Sequence, residues 1–127
     1  MSTDYNAEDV LAQISESDKI RQLNDAFRTH PFIGAALSDD ELVITRGVAD
    51  QGTDFIDRVV NAVRQFSTFT GDNDPHGEHD FGSFQLDGAE LFWKIDYYDR
   101  DLKYGSPDPA DPAVTRRVLT ILLAEEY

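Results

Sequence analysis

The run Phe81-Gly82-Ser83-Phe84-Gln85-Leu86-Asp87-Gly88-Ala89-Glu90-Leu91-Phe92-Trp93-Lys94-Ile95-Asp96-Tyr97 decides the fold. Asp-Gly is the dipeptide of a two-residue type I′ turn, which needs positive φ at both central positions, and the apolar–polar alternation on either side is strand patterning. A hairpin closed at Asp87-Gly88 sets its own register: Leu86 faces Ala89, Phe84 faces Leu91 and Gly82 faces Trp93. With Ile95 and Tyr97 these residues form the buried face, and the indole is expected over the glycine. The same register carried further places His79 opposite Asp96 on the other face, with Lys94 and Tyr98 flanking Asp96 two residues away on each side.

Before the hairpin, Phe55, Ile56, Val59, Val60, Val63 and Phe66 have the spacing of a strongly amphipathic helix. Thr53 reads as its N-cap, Asp54 and Asp57 suit its positive end, and Gly71 reads as its stop. Leu42-Val43-Ile44-Thr45 reads as a short strand closed by Gly47. An earlier helix from about Ser17 places Ile20, Leu23 and Phe27 on one face, with Ser15 and Asp18 as a capping box and His30-Pro31 as its end. Residues 1–16 read as a loosely held acidic arm, in which Val10, Leu11 and Ile14 form at most one weak helical turn.

After the hairpin comes the proline-spaced run Ser106-Pro107-Asp108-Pro109-Ala110-Asp111-Pro112. Asp111 as N-cap and Pro112 at the first helical position predict a terminal helix burying Val114, Val118, Leu119, Ile121, Leu122 and Leu123. The order α-β-α-β-β-α over residues 17–127 predicts one α+β domain, a small, mainly antiparallel sheet of three strands with three helices packed on one side.

Twenty-five acidic against eleven basic side chains give a net charge of −14, spread over the arm, the 38–41 turn, the 72–80 loop and the 96–111 connection. Such a surface repels nucleic acid and anionic membranes and favours docking on a basic protein surface. No apolar run approaches the ~18 residues of a membrane span. The start Met1-Ser2-Thr3-Asp4-Tyr5 has no leader pattern. The absence of cysteine excludes disulfides, thiolate zinc sites and cysteine nucleophiles, and fits the cytoplasm.

Two groups could carry chemistry. Asp72, Asp74, His76, Glu78, His79 and Asp80 crowd imidazole and carboxylate into one loop. Asp74, His76, His79 and Asp96 are its candidate ligands for a divalent metal such as zinc, manganese or iron. The spacing matches neither the helical His-Glu-x-x-His pattern nor a calcium loop, and Asn73, Asp74 and Gly77 also serve as turn residues. His79 facing Asp96 would make an oriented acid–base pair, with Lys94 and Tyr98 beside it to hold a polar or anionic ligand. The alternative is a solvated sheet face laced by cross-strand charge pairs worth about 0.2–1 kcal/mol each. Phe81 and Phe92 share that face and give it a mixed aromatic and charged character. Ser106 lacks a nucleophile elbow and is not assigned a catalytic role. Arg116-Arg117, at the start of the expected helix, calls for compensating carboxylates, with Asp108 and Asp111 nearest.

The runs Asp72-Asn73-Asp74-Pro75-His76-Gly77-Glu78-His79-Asp80-Phe81-Gly82 and Phe92-Trp93-Lys94-Ile95-Asp96-Tyr97-Tyr98-Asp99, with the segment from Gly105 to Tyr127, resemble an alphaproteobacterial family called domain of unknown function 3768. The resemblance spans about residues 17–127 and implies a stand-alone bacterial domain similar to proteins carried on plasmids and other mobile elements. It implies no activity and no catalytic residues. The expected function is therefore a non-enzymatic acidic module that binds and modulates or inhibits a basic, nucleic-acid-handling protein, at its furthest by imitating DNA. The alternative is a small metal-dependent hydrolase or ligand-binding enzyme built on His76, His79 and Asp96. Self-association through the edge of the 42–45 strand is a third expectation.

Overall fold

The hairpin forms in the register its turn dictates. In the computed structural model, which describes residues 14–127, β2 (Phe81–Leu86) and β3 (Ala89–Tyr98) pair antiparallel. Leu86 lies opposite Ala89 and Gly82 opposite Trp93. Asp87 and Gly88 both take positive φ, 53° and 81°. A Cβ on Gly82 would overlap the Trp93 indole nitrogen and the Phe66 ring, so only glycine lets the indole lie flat on the strand.

The fold is α+β, as expected, but its sheet has four strands and is mixed. Helix α1 (Glu16–Thr29) is followed by a short α2 (Pro31–Leu37), β1 (Glu41–Ile44), one helical turn α3 (Arg46–Ala49) and α4 (Thr53–Gln65). The strands lie in the order β1-β4-β3-β2, where β4 (Arg116–Leu123) runs antiparallel to β3 and parallel to β1. A 3-10 turn (Ala124–Glu126) ends the chain.

The expected terminal helix is thus strand β4. Asp111 does not cap a helix; its side chain accepts from the Ala113 amide (2.9 Å) in a local turn. From Arg117 onward the alternate residues Leu119, Ile121 and Leu123 face the helices, and Leu122 is buried on the other side. Burial on both faces makes the sequence read as a continuous apolar run, which periodicity cannot separate from a helix.

Ser15 accepts from the Asp18 amide (3.1 Å) and starts α1, while His30 ends it. Pro31 then opens α2, an element absent from the expected order. The N-cap of α4 is Gly52 at φ 98°, with Thr53 its first helical residue. That helix stops at Gln65, well before Gly71, because Phe66 turns extended to meet Trp93 edge-on at 5.5 Å. The core lies between the Trp93 face of the sheet and Phe27 of α1, Val48 of α3 and Phe55, Val59, Val60 and Val63 of α4. Residues 1–13, including most of the expected arm and its weak turn at Val10 and Leu11, lie outside the described residues.

Candidate functional site

The 72–80 loop is built on its own polar side chains. Asp74, buried, accepts from the amides of Glu78 (3.1 Å) and His79 (3.2 Å) through one oxygen. Asn73 accepts from the Thr70 amide (2.8 Å) and donates to the Thr68 carbonyl (2.9 Å). Gly77 takes the positive φ (66°) that the turn requires.

His79 does not face Asp96. The Ile95 amide still donates to the Asp80 carbonyl (2.8 Å), but His79 has φ 54°, which turns the chain out of the sheet at that residue. The imidazole swings to the core side and stacks on Phe69 at 3.7 Å and 5°. Its Nδ1 lies 2.9 Å from Asp25 of α1, and its Nε2 lies 3.7 Å from Asp74. With a carboxylate near each ring nitrogen the histidine latches the loop to α1.

A second polar knot lies alongside. Asn24, fully buried on α1, donates to the Tyr97 hydroxyl (2.7 Å) and the Glu78 carbonyl (3.0 Å) and accepts from Arg117 Nε (2.8 Å). The Tyr97 hydroxyl donates to the Glu78 carboxylate (2.9 Å), and burial holds that hydroxyl far above its usual range. The Arg117 guanidinium, also buried, lies 5.2 Å over the Tyr97 ring and donates to the Pro109 carbonyl. Burial lowers its affinity for its proton. Asp40 accepts from the Arg117 amide (2.8 Å). Arg28 is likewise buried: it donates to the carbonyls of Val63 (2.8 Å) and Phe66 (2.9 Å) at the end of α4, pairs with Asp25 (3.2 Å), and lies over Phe69 and Trp93.

The candidate residues therefore separate. His79 and Asp74 stay together, His76 is exposed in its turn, and Asp96 is on β3, paired with Lys94 at 3.0 Å. That bond raises the Lys94 ammonium above its usual range. Tyr98 is drawn into a bridge with Gly105. Phe81 and Phe92 do pair, at 5.3 Å, and Tyr127 meets Phe92 edge-on. Among the described residues no three His, Asp or Glu side chains are gathered in a metal-holding group. Arg116 and Arg117 sit on a strand, and their partners are Glu41, the Asp39 carbonyl, Asn24 and Asp40 rather than Asp108 and Asp111. The latter two cap turns in the connection, where Ser106 meets Thr115 at 2.7 Å.

Residues 44–126 match the model of a family described as protein of unknown function (DUF3768). The chain belongs to that family. The match is narrower than the resemblance read from the sequence, and α1, with Asn24, Asp25 and Arg28, lies before it. No curated protein and no solved structure matches the chain.

The polar residues of α1 escaped the sequence reading, although a signal was present. Ile20, Asn24 and Phe27 recur at i, i+4 and i+7, so Asn24 occupies a core position of the apolar stripe. A buried amide must find partners, which points to a polar knot opposite it.

Proposed function

We propose that this domain is a non-enzymatic acidic module that docks on a basic surface of another protein. One observation carries the reading: most of the chain's positive charge is already buried or paired with its own carboxylates, and only Lys19, Arg64 and Lys103 are neither buried nor so paired among the described residues. Arg28 and Arg117 are buried. Arg58 is held by Asp87, Arg100 by Asp39, Arg116 by Glu41, Arg21 by Asp18 and Lys94 by Asp96. Carboxylates such as Asp57, Asp72, Glu90, Asp101 and Glu125 make no ion pair among the described residues. The surplus of negative charge among the described residues is thus turned outward on a folded scaffold, where it steers a basic partner and selects its orientation.

The partner class that fits best is a cytoplasmic protein whose basic surface otherwise holds nucleic acid, which the domain would occupy and so inhibit. This agrees with the mobile-element setting that the sequence resemblance implies. Affinity purification with the full chain as bait, from nuclease-treated bacterial lysate, tests the proposal. The expected result is a small set of basic proteins released as salt is raised. Retained proteins no more basic than the flow-through, or retention indifferent to salt, would overturn it.

A further inference from the structure

At the hairpin-turn end of the sheet a cleft of about 520 Å³ opens between the start of α4, the Asp87-Gly88 turn and the C-terminal 3-10 turn. Its lining is divided by chemistry. Phe55, Ala89 and Leu123 supply apolar ground, of which Phe55 and Leu123 are 8% exposed. Asp87, Glu90 and Glu125 stand exposed around it.

These three carboxylates are not equivalent. Asp87 is neutralised by a bidentate Arg58, at 2.6 and 2.8 Å. Glu90 has only the Ser83 hydroxyl at 3.4 Å, and Glu125 has no side-chain bond among the described residues. Two carboxylates on different elements, neither with an ion pair among the described residues, therefore flank a cleft of mixed polar and apolar lining. The positive end of α4 adjoins it, but Asp54 in the first turn offsets that field.

We infer that this cleft receives an arginine side chain from a basic segment of the partner protein, an inference that rests on the docking function proposed above. The volume falls within the ~300–1,000 Å³ of ordinary binding clefts and accommodates a guanidinium with its stem and adjoining backbone. Arginine suits it better than lysine: its weakly hydrated, planar guanidinium offers five N–H donors to the carboxylates of the rim, whereas a compact ammonium holds its water. The alkyl stem lies along Ala89 and the narrow exposed margins of Phe55 and Leu123.

Calorimetric titration of the full chain at low salt with two short peptides, alike except for arginine or lysine at every basic position, tests the inference. The arginine peptide is expected to bind at least about threefold more tightly. In Glu90→Gln/Glu125→Gln its affinity falls about tenfold, while Glu16→Gln/Asp101→Asn, with the same change of charge away from the cleft, costs less than about twofold. Thermal unfolding confirms that all variants fold, and amide shifts of Gly88 and Ala89 on titration of the wild type locate the peptide independently. Equal losses in the two double variants, unmoved amides or equal affinity for the lysine peptide would overturn the arginine cleft and leave the docking function standing. Binding of neither peptide by the wild type would overturn both.

Discussion

Strand β3 carries Glu90 at one end and Tyr97 at the other, and the two ends handle charge in opposite ways. At the Tyr97 end a knot of polar side chains is turned inward and answered: Arg117 by Asn24, Tyr97 by Glu78, His79 by Asp25 and Asp74. At the Glu90 end the carboxylates stand in solvent around a cleft and, Asp87 apart, lack a cation. The same residue types thus build the fold at one end and remain available to a partner at the other. Histidines in a crowded acidic loop invite an enzymatic reading, yet here His79 ties that loop to α1, and Arg117 ties α1 to the sheet.

The contrast can be broken by stability measurements. The largest effect is expected from Asn24→Ala, which strips three partners from a buried knot containing a guanidinium; unfolding should become easier by about 3 kcal/mol. His79→Ala removes the Asp25 bond and the Phe69 stack and leaves alanine at φ 54°; denaturant unfolding should show a loss of about 1.5 kcal/mol. The Asn24→Ala loss should persist at high salt, since buried polar groups are poorly screened.

Asp80 gives a smaller effect of opposite sign. Burial, followed by the charge of Glu78, raises its carboxyl above the usual range. A raised folded value means that the native state holds the proton longer, so this contribution to stability is full below the unfolded pKa of about 3.9 and is lost as pH rises through the folded value. Asp80→Asn, neutral throughout, should therefore be more stable than the parent near pH 7, by up to about 0.5 kcal/mol. The gain should vanish below about pH 4 in a pH series of melting temperatures. Smallest of all, Glu90→Gln/Glu125→Gln should leave the melting temperature within a degree or so of the parent, the result expected of exposed groups without partners. A loss there as large as that of Asn24→Ala would erase the distinction between the two ends.

Much of the fold was legible because its strongest signals are local. Asp87-Gly88 sets the hairpin register and Gly82 accepts the indole. The stripe from Phe55 to Val63 defines α4, and Ser15 starts α1. What failed depended on distant partners. Strand β4 looked helical because, paired between β3 and β1, it carries buried apolar residues on both faces, and Arg117 at an inward position hid its alternation. The His79–Asp96 pair followed from extending the register by two residues past Phe81, where a positive φ and the bonds from Asp74 turn the loop away. Asp25, the true partner of His79, is 54 residues earlier in the chain, beyond the reach of any local pattern.

The salt dependence of partner binding tests most directly whether inward charge builds and outward charge binds. The logarithm of the affinity for the captured basic protein would be followed against the logarithm of salt concentration, for the parent, for His79→Ala while folded, and for Glu90→Gln/Glu125→Gln. The account predicts a steep fall for the parent, the same slope for His79→Ala and a shallower one for the double variant. A slope altered by His79→Ala and untouched by the loss of Glu90 and Glu125 would contradict it.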